Sequence, residues 1–418
     1  MKILYLVHQF FPRFSSGTER FVLNLASSVQ RDGQSAQVIT YDLFNPEPFH
    51  SRDQLSVRKY SYKNIPVVAL RHRKMPIDVH TSCEDPEIYR FALKFLRENT
   101  HYDVLHCAHP MRLTSFLRAA GQLNLPYVLT LTDFWLMCPK IFLQTSAGSL
   151  CTGPESGQVC GKLCPELDSM LVRDRLEHAK EILFAAQEII SPSRFLAALF
   201  RKEFPELNVS VVPHGIDARF LKQNTRTYAK GDQVIFGYTG GFAPHKGVHL
   251  LVQAFRNMPA RNIKLKLFGG YSHEIGYTQK LLEIAEGDNR IQFCGTYEPS
   301  ALADVLRGLD VLVIPSVVYE SYSLSLHEAL ASNTAVITSN IGAAVEEITD
   351  LKNGFTFDAG DGVDLKRKME SIAEDPSILN EIKCNLRAQI PVLVEEEAFI
   401  YERIYLRGSA AASKRGKV

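Results

Sequence analysis

The sequence predicts an α/β protein with two Rossmann-like, doubly wound domains that face each other across a cleft. Its 418 residues exceed what one ordinary hydrophobic core accommodates, so two domains are expected. Short apolar runs alternate with amphipathic segments in both halves, which is typical of parallel strands covered by helices on both faces. A polar stretch without periodicity, 221–232, separates the halves. We therefore predict an N-terminal domain over 1–221 and a C-terminal domain over 222–390.

Each half contains a series of short apolar runs that predict strands. In the first half they lie at 3–7, 38–41, 104–106, 127–131, 188–191 and 209–212, with a helix over 18–30. In the second half the strands are predicted at 234–238, 264–268, 291–294, 311–314, 335–338 and 355–357. Helices are predicted between them at 248–255, 277–285, 300–306 and 325–331. Ligands of such folds bind beyond the carboxyl ends of the strands, so the chemistry is expected in the loops that follow strands.

The end of the chain predicts two further segments. An apolar-acidic helix over 391–407 is expected to pack back onto the first domain. The tail 408–418 is small and basic, and we expect it to be disordered.

The charge balance limits the range of partners. Lys and Arg number 47 against 46 Asp and Glu, so no global field recruits nucleic acid. The densest basic segment, 58–74, predicts a solvated surface loop, or alternatively a membrane-facing patch near a lipid-linked acceptor. Eight cysteines, no signal-peptide pattern and no long apolar run predict a cytoplasmic protein, with the inner face of the membrane as a second location.

A strand, loop and helix over 311–330 predict an anion site. The helix is expected to begin near Ser323, where free backbone N–H groups and the positive end of the helix dipole suit a diphosphate. Glu320 lies in the loop and Glu328 inside the helix. A loop carboxylate can bind sugar hydroxyls, and a helical one can accept from ribose hydroxyls. Helix capping by the serines and a solvated Glu328 are equally compatible with the residues alone.

A glycine-rich turn follows the first strand of the second half. Gly240 and Gly241 allow a ligand to approach the backbone closely. Lys246 can neutralise charge that develops on a leaving diphosphate. An ordinary turn is the alternative interpretation.

These segments resemble retaining glycosyltransferases of family four. Glu320 and Glu328, with Pro315-Ser316 before them and Ala329-Leu330 after them, are similar to the family's paired-glutamate signature. The resemblance implies the GT-B architecture, a UDP- or GDP-linked sugar donor, retention of configuration and no catalytic metal. The implied acceptor is a glycan or a lipid-linked molecule, as in surface polysaccharide biosynthesis.

The resemblance also implies roles for single residues. Glu320 would hold the donor sugar and Glu328 the ribose, while Lys246 and the backbone amides of Leu324 and Ser325 would bind the diphosphate. Gly295 is in register with the family pattern as a donor-site residue. Gly241 stands where many relatives carry an arginine, so Lys246 would have to carry more of the phosphate's charge.

Candidate acceptor residues lie in the first half. Gly17 resembles the second position of the family's Gly-Gly loop, which implies that this loop approaches the donor phosphates or the acceptor, and we name Gly17 as a donor-binding candidate. A plain turn with Thr18 as the helix cap is the alternative. Asp133 follows Thr132 where relatives carry His-Asp, which makes it the candidate catalytic base. His106 and His109 are candidates for acceptor binding or proton transfer, against a structural role. The leaving phosphate can itself take the acceptor proton.

Four cysteines form a cluster of unusual density. Cys138, Cys151, Cys160 and Cys164 lie within 27 residues in a Gly- and Pro-rich insert over 138–164. Structural zinc sites favour four thiolates, although this spacing does not form two CxxC pairs. A structural zinc is our hypothesis. Unpaired thiols, disulfides and an iron–sulfur centre are the alternatives.

Two other functions compete with transfer of a sugar. One is a sugar-nucleotide epimerase or a phosphorylase of similar fold, which the paired glutamates disfavour. The other is a catalytically degenerate scaffold or binding protein, suggested by the missing arginine and histidine and disfavoured by Lys246, Glu320 and Glu328 occurring together.

Overall fold

The chain divides into two structural units, each built on one sheet. The structure is a computed structural model that describes residues 1–43, 50–52, 54–217, 219, 221–270 and 275–415. Unit 1 comprises 1–215 with 394–418, and unit 2 comprises 216–393. The division falls six residues before the predicted boundary, because the stretch expected to be a linker belongs to unit 2. There Asn224 donates to the Leu309 carbonyl at 2.9 Å, and Arg226 pairs with the buried Asp310.

The sheet of unit 1 has the order β3-β4-β5-β2-β1-β6-β7-β8-β9. Pairing is parallel from β5 to β9 and antiparallel between β3, β4 and β5. The strands are β1 Lys2–Val7, β2 Ser35–Tyr41, β3 His50–Arg52, β4 Leu55–Tyr62, β5 Ile65–His72, β6 Val104–Cys107, β7 Tyr127–Thr130, β8 Glu188–Ser191 and β9 Ser210–Val211. The helices are α1 Gly17–Arg31, α2 Pro86–Glu98, α3 Thr114–Gln122, α4 Gln158–Leu163, α5 Ser169–Ala185, α6 Arg194–Glu203 and α14 Val394–Arg415.

The basic segment 58–74 is not the surface loop that its charge predicts. Most of it forms the antiparallel pair β4 and β5, joined by a tight turn in which Lys63 and Asn64 take positive φ angles of 49° and 65°. On β4 the later residues alternate between half-buried and exposed. Arg58 is half-buried and Lys59 is exposed at the next position of β4, so the two basic side chains lie on opposite faces of the sheet. Charged residues on both faces hide the strand pattern of period two.

The sheet of unit 2 has the order β12-β11-β10-β13-β14-β15, and all of its pairs are parallel. The strands are β10 Val234–Thr239, β11 Ile263–Phe268, β12 Ile291–Gly295, β13 Val311–Ile314, β14 Ala335–Ser339 and β15 Phe355–Phe357. The helices are α7 Val248–Arg256, α8 Ile275–Ala285, α9 Leu302–Arg307, α10 Leu324–Ala331, α11 Ala344–Glu347, α12 Gly362–Glu374 and α13 Ile378–Leu386. Numbered within the unit, this order is 3-2-1-4-5-6, that of a doubly wound Rossmann sheet.

The C-terminal helix α14 packs within unit 1. Tyr401 and Tyr405 are fully buried in the core that α14 shares with α1 and β1. Glu397 accepts from His214 Nδ1 at 2.9 Å and from the Gly215 N–H at 2.8 Å. The tail expected to be disordered from 408 continues the helix to Arg415 instead, and 416–418 lie outside the described residues. Among the helices that the structure describes, none combines the length and apolar character needed to cross a membrane.

Candidate active site

The strand order of unit 2 brings two loops together that the sequence keeps far apart. The chain passes from β10 to one side of the sheet and returns through β13 on the other side, so β10 and β13 are neighbours at a topological switch point. Loops at the carboxyl ends of such strands form the ligand site of doubly wound folds. Here those loops are 240–247 and 315–323.

Lys246 and Glu320 form an ion pair between these loops. Lys246 Nζ lies 2.8 Å from Glu320 Oε1, and the Ser316 hydroxyl donates to the same oxygen. Burial acts to raise the pKa of Glu320, but the Lys246 ammonium and the Ser316 hydroxyl outweigh it and hold this pKa below its ordinary value. Glu320 is therefore ionised at neutral pH and presents oxygens that only accept hydrogen bonds.

Two glycines allow the loops to pack backbone against backbone. Gly247 has a φ of 67°, and a Cβ there would lie 1.9 Å from the Pro315 carbonyl oxygen. Gly342 has a φ of 66°, and its Cβ would lie 2.9 Å from the Glu320 amide nitrogen. The Val317 N–H donates to the His245 carbonyl at 3.0 Å. These close approaches set the positions of Lys246 and Glu320.

Helix α10 presents its N-terminus directly after Glu320. The helix begins at Leu324, close to the predicted start, and Ser323 is its N-cap, with a hydroxyl that accepts from the Leu326 N–H at 3.3 Å. The N–H groups of Leu324 and Ser325 lie in the first turn, where a helix has no internal acceptor for them. Glu328 lies on the second turn of α10 and is buried. The arrangement suits an anion at the helix end with carboxylates on either side of it.

The other predicted donor-site glycines also lie at the carboxyl ends of strands in this sheet. Gly240 follows β10 with a φ of 146°, and a Cβ on the neighbouring Gly269 would lie 2.0 Å from the Gly240 carbonyl oxygen. The Tyr238 hydroxyl donates to the Gly241 carbonyl at 2.8 Å. Gly295 ends β12 with a φ of 73°, and its carbonyl accepts from the Gly269 N–H at 2.9 Å. All three leave backbone accessible at this edge of the sheet.

Unit 1 has the same kind of switch point between β1 and β6. His109 follows β6, Asp133 follows β7, and His109 Nε2 lies 2.6 Å from Asp133 Oδ2. The Met111 N–H donates to His109 Nδ1 at 3.2 Å, so the ring proton is on Nε2 and is donated to Asp133. The other oxygen of Asp133 accepts from the Trp135 N–H at 2.8 Å. Two of the three side chains predicted for the acceptor side, His109 and Asp133, are thus joined.

His8, which was not among the residues predicted from the sequence, completes this cluster. His8 follows β1 directly, and its ring centroid lies 3.9 Å from that of His109. Arg112 donates to the His8 carbonyl at 3.1 Å and pairs with His80 Nδ1 at 2.9 Å. Burial, followed by the charges of His109 and Arg112, lowers the pKa of His8 well below its ordinary value. The rule that selected His109, a polar residue just after a strand, would also have selected His8.

One acceptor-side prediction, His106, and the alternative interpretation of the Gly17 loop need correction. His106 does not reach a ligand: it is fully buried, with Nδ1 2.6 Å from the Tyr405 hydroxyl and Nε2 2.8 Å from Thr130 Oγ1. Burial lowers its pKa to about 3, so it is a neutral core residue that fastens α14. Gly17 begins α1, but the N-cap is Ser16 rather than Thr18, and the Ser16 hydroxyl donates to Glu19.

The four clustered cysteines line one small cavity of unit 1. Cys138, Cys160 and Cys164 are buried and Cys151 is half-buried, and none is in a disulfide. Burial and then the three neighbouring thiols raise the pKa of Cys160 to about 12. As the side chains are placed, no three His, Cys, Asp or Glu residues in the described ranges form a group that could hold a metal ion.

Comparison with known proteins identifies the family. Residues 15–220 match the model of glycosyltransferase family 4, and residues 222–389 match that of glycosyl transferases group 1. The chain belongs to this glycosyltransferase family. It is 31% identical over 183 residues to a lipopolysaccharide 1,2-N-acetylglucosaminetransferase of Salmonella typhimurium, a match over 40% of this chain and 48% of that enzyme. An uncharacterized glycosyltransferase of Methanocaldococcus jannaschii is 26% identical over 85% of this chain and 84% of its own length.

Solved structures of the family share the fold over the whole chain. HepE of Anabaena, in complex with UDP and glucose, has a TM-score of 0.70 at 18% identity and covers 97% of this chain and 99% of its own. Sucrose-phosphate synthase of Thermosynechococcus elongatus has a TM-score of 0.72 at 19% identity, with coverages of 98% and 99%. The family's two parallel-sheet α/β domains, the GT-B architecture, are those of units 1 and 2.

Proposed function

We propose that the protein transfers a sugar from a UDP- or GDP-linked donor to a glycan or lipid-linked acceptor, with retention of anomeric configuration. The observation that carries this proposal is the Lys246–Glu320 ion pair at 2.8 Å, placed between a glycine-rich turn and the N-terminus of α10. The relation to the Salmonella lipopolysaccharide enzyme supports surface polysaccharide as the product. We place the reaction in the cytoplasm, where a lipid-linked acceptor would lie at the inner membrane face.

The donor diphosphate binds at the N-terminus of α10. The N–H groups of Leu324 and Ser325 donate to phosphate oxygens, and the helix dipole favours their negative charge. Lys246 turns part of its hydrogen bonding from Glu320 to the leaving phosphate, whose charge grows as the bond to the sugar breaks. These groups together supply the positive charge that a metal ion supplies elsewhere, so we propose that transfer needs no metal.

The two glutamates bind the two ends of the donor. Glu320 is held ionised by Lys246 and accepts hydrogen bonds from sugar hydroxyls, and Glu328 accepts from the ribose. With the sugar carbon held this way, its bond to the diphosphate oxygen breaks and a bond to the acceptor oxygen forms on the same face. The acceptor proton passes to the leaving phosphate or to Asp133, whose contact with His109 keeps its oxygens in place.

Calorimetric titration with UDP and GDP tests the donor site. One of the two nucleotides is expected to bind. Glu328→Ala and Lys246→Ala should each lower the affinity for it about 10-fold to 100-fold, because each substitution removes a hydrogen bond to a charged group. Glu374→Ala and Lys230→Ala change exposed residues of the same unit and should leave the affinity unchanged. Absence of binding by folded protein would overturn the donor assignment.

Release of nucleoside diphosphate from the donor distinguishes an enzyme from a binding protein. Glu320→Gln should retain nucleotide binding and lose donor turnover, because the amide keeps the shape of the side chain without its charge. If wild-type protein binds the nucleotide but turns over no donor with any acceptor in a glycan screen, the protein is a binding module and the catalytic assignment is wrong.

A further inference from the structure

The segment 138–164 holds four of the eight cysteines in a part of unit 1 with little regular structure. It begins five residues after Asp133 and contains the bridge between Gln144 and Leu150 and the short helix α4. The side chains of Cys138, Cys151, Cys160 and Cys164 all line one cavity. Three of them are less than 10% exposed, so four residues spread over 27 positions face the same cavity.

A cation lies beside the sulfur cluster. The ammonium of Lys140 lies 3.9 Å from Cys164 Sγ and 2.9 Å from Glu166 Oε1. A cation at this distance stabilises negative charge on sulfur. Lys140 can therefore offset part of the charge that thiolates bring into the cavity.

The backbone of the segment is also held in uncommon conformations. Ile141 and Leu143 have φ angles of 72° and 49°, and Glu155 and Ser156 have 49° and 55°. For residues other than glycine such angles are unfavourable by roughly 1–2 kcal/mol each. A segment this short, with four such residues, needs a strong tertiary constraint to keep them in place.

We propose that Cys138, Cys151, Cys160 and Cys164 bind one Zn²⁺ as four thiolate ligands and form a structural metal centre. Four S–H bonds lose their protons to solvent as four Zn–S bonds of about 2.3 Å form, and no electron is transferred. Since no three of the described side chains form a metal-holding group as placed, the sulfurs must turn toward the centre of the cavity they line. Lys140, 3.9 Å from Cys164 Sγ, offsets part of the negative charge of the tetrathiolate.

The metal would order the loop that carries the acceptor-side residues. The loop from β7 passes through Asp133 and Trp135 into Cys138, and Arg175 of α5 donates to the Trp135 carbonyl at 2.6 Å. A metal bound to these cysteines would cross-link 138–164, the segment that connects the loop after β7 to α5. The cross-link would thereby limit the movement of that loop. This inference concerns unit 1 and stands independently of the donor site proposed in unit 2.

Metal analysis of the full chain, purified under reducing conditions without a metal-affinity step, tests the proposal. We expect one zinc per chain in the wild type and at least a tenfold lower content in Cys160→Ser. Cys294→Ser and Cys384→Ser remove exposed cysteines outside the cluster and should retain the metal. Full zinc content in Cys160→Ser, or iron with sulfide in place of zinc, overturns the assignment.

A titration of the wild type keeps the test decisive if the cluster variants do not fold. Mercurial reagent added to folded protein, with a zinc-sensitive dye present, should react with the exposed Cys294 and Cys384 and release one zinc as the four thiols of the cluster react. Four freely reactive thiols with no release of metal, or disulfides among the four cysteines in peptide mapping, would show that no zinc centre exists.

Discussion

His109 and Asp133 lie 24 residues apart in sequence, and their side chains meet at 2.6 Å. They follow the neighbouring parallel strands β6 and β7, whose carboxyl ends lie at the same edge of the sheet. His109 is almost fully buried, while the Asp133 side chain remains about one quarter exposed. The buried imidazole therefore orients a carboxylate that a ligand can still reach.

Asp133→Asn should impair transfer without affecting the nucleotide site. If Asp133 takes the acceptor proton, transfer to a saccharide acceptor should fall roughly 100-fold to 10,000-fold, the usual contribution of a general base. The affinity for nucleoside diphosphate should remain within twofold, because its proposed contacts lie in unit 2. Initial rates with a screened acceptor and calorimetry of the same preparations measure the two effects.

The control for this variant is Asp174→Asn, which changes an exposed carboxylate on α5 and should behave as wild type. Transfer by Asp133→Asn at the wild-type rate would mean that the leaving phosphate takes the proton.

Gly247→Ala should destabilise unit 2 and weaken the nucleotide site together. The new methyl group would stand 1.9 Å from the Pro315 carbonyl oxygen, at a φ of 67°. The free energy of unfolding should fall by about 1–3 kcal/mol from the strained backbone alone, and displacement of Lys246 should lower nucleotide affinity. Denaturant titration and calorimetry check both. Gly276→Ala, in open space within α8, should be neutral or slightly stabilising, and equal effects of the two substitutions would contradict the steric argument.

Glu397→Ala should loosen the C-terminal helix of unit 1. It leaves the buried His214 and the Gly215 N–H without the carboxylate that accepts from both. Removal of one partner of a buried pair typically lowers the free energy of unfolding by about 3–5 kcal/mol. Glu395→Ala breaks only the exposed ion pair with Arg31 and should change the free energy of unfolding by less than about 1 kcal/mol. Urea unfolding followed by circular dichroism compares the two, and similar losses would refute the anchoring role.

Acid should destabilise unit 1 partly through His106. Its pKa falls from 6.5 in the unfolded chain to about 3 in the fold because the ring is buried. Between these values the unfolded chain binds the proton and the folded chain does not, so stability falls as the pH is lowered. The contribution approaches about 1.4 kcal/mol per pH unit.

This pH effect is measured as a difference between variants. His106→Gln should show a shallower decline of unfolding free energy from pH 6 to pH 4.5 than the wild type. His101→Gln, which removes an exposed imidazole, should keep the wild-type slope. Parallel profiles for wild type and His106→Gln would show that His106 does not stay neutral in the fold.

Local sequence pattern predicted most of the fold of both units. Every strand expected from an apolar run is present, and the end of each moves by at most three residues. The strands β3, β4 and β5 were missed. In β4 the adjacent charges of Arg58 and Lys59 interrupt the apolar pattern by which the other strands were recognised. The predicted start of α10 near Ser323 is confirmed, since the helix begins at Leu324 with Ser323 as its N-cap, and a cap involves only residues within one turn.

The candidate site also combines features that the sequence predicts with features that only the tertiary structure shows. The sequence alone determined that Lys246, Glu320, His109 and Asp133 would follow strands, since that requires only the positions of the strands. Only the tertiary structure decided that Lys246 meets Glu320 across 74 residues, that His8 stacks on His109, and that His106 turns into the core. Those outcomes depend on strand order and on the direction in which each side chain leaves its strand. A shift of one residue in strand register moves a side chain to the opposite face of the sheet, and the local sequence does not specify the register.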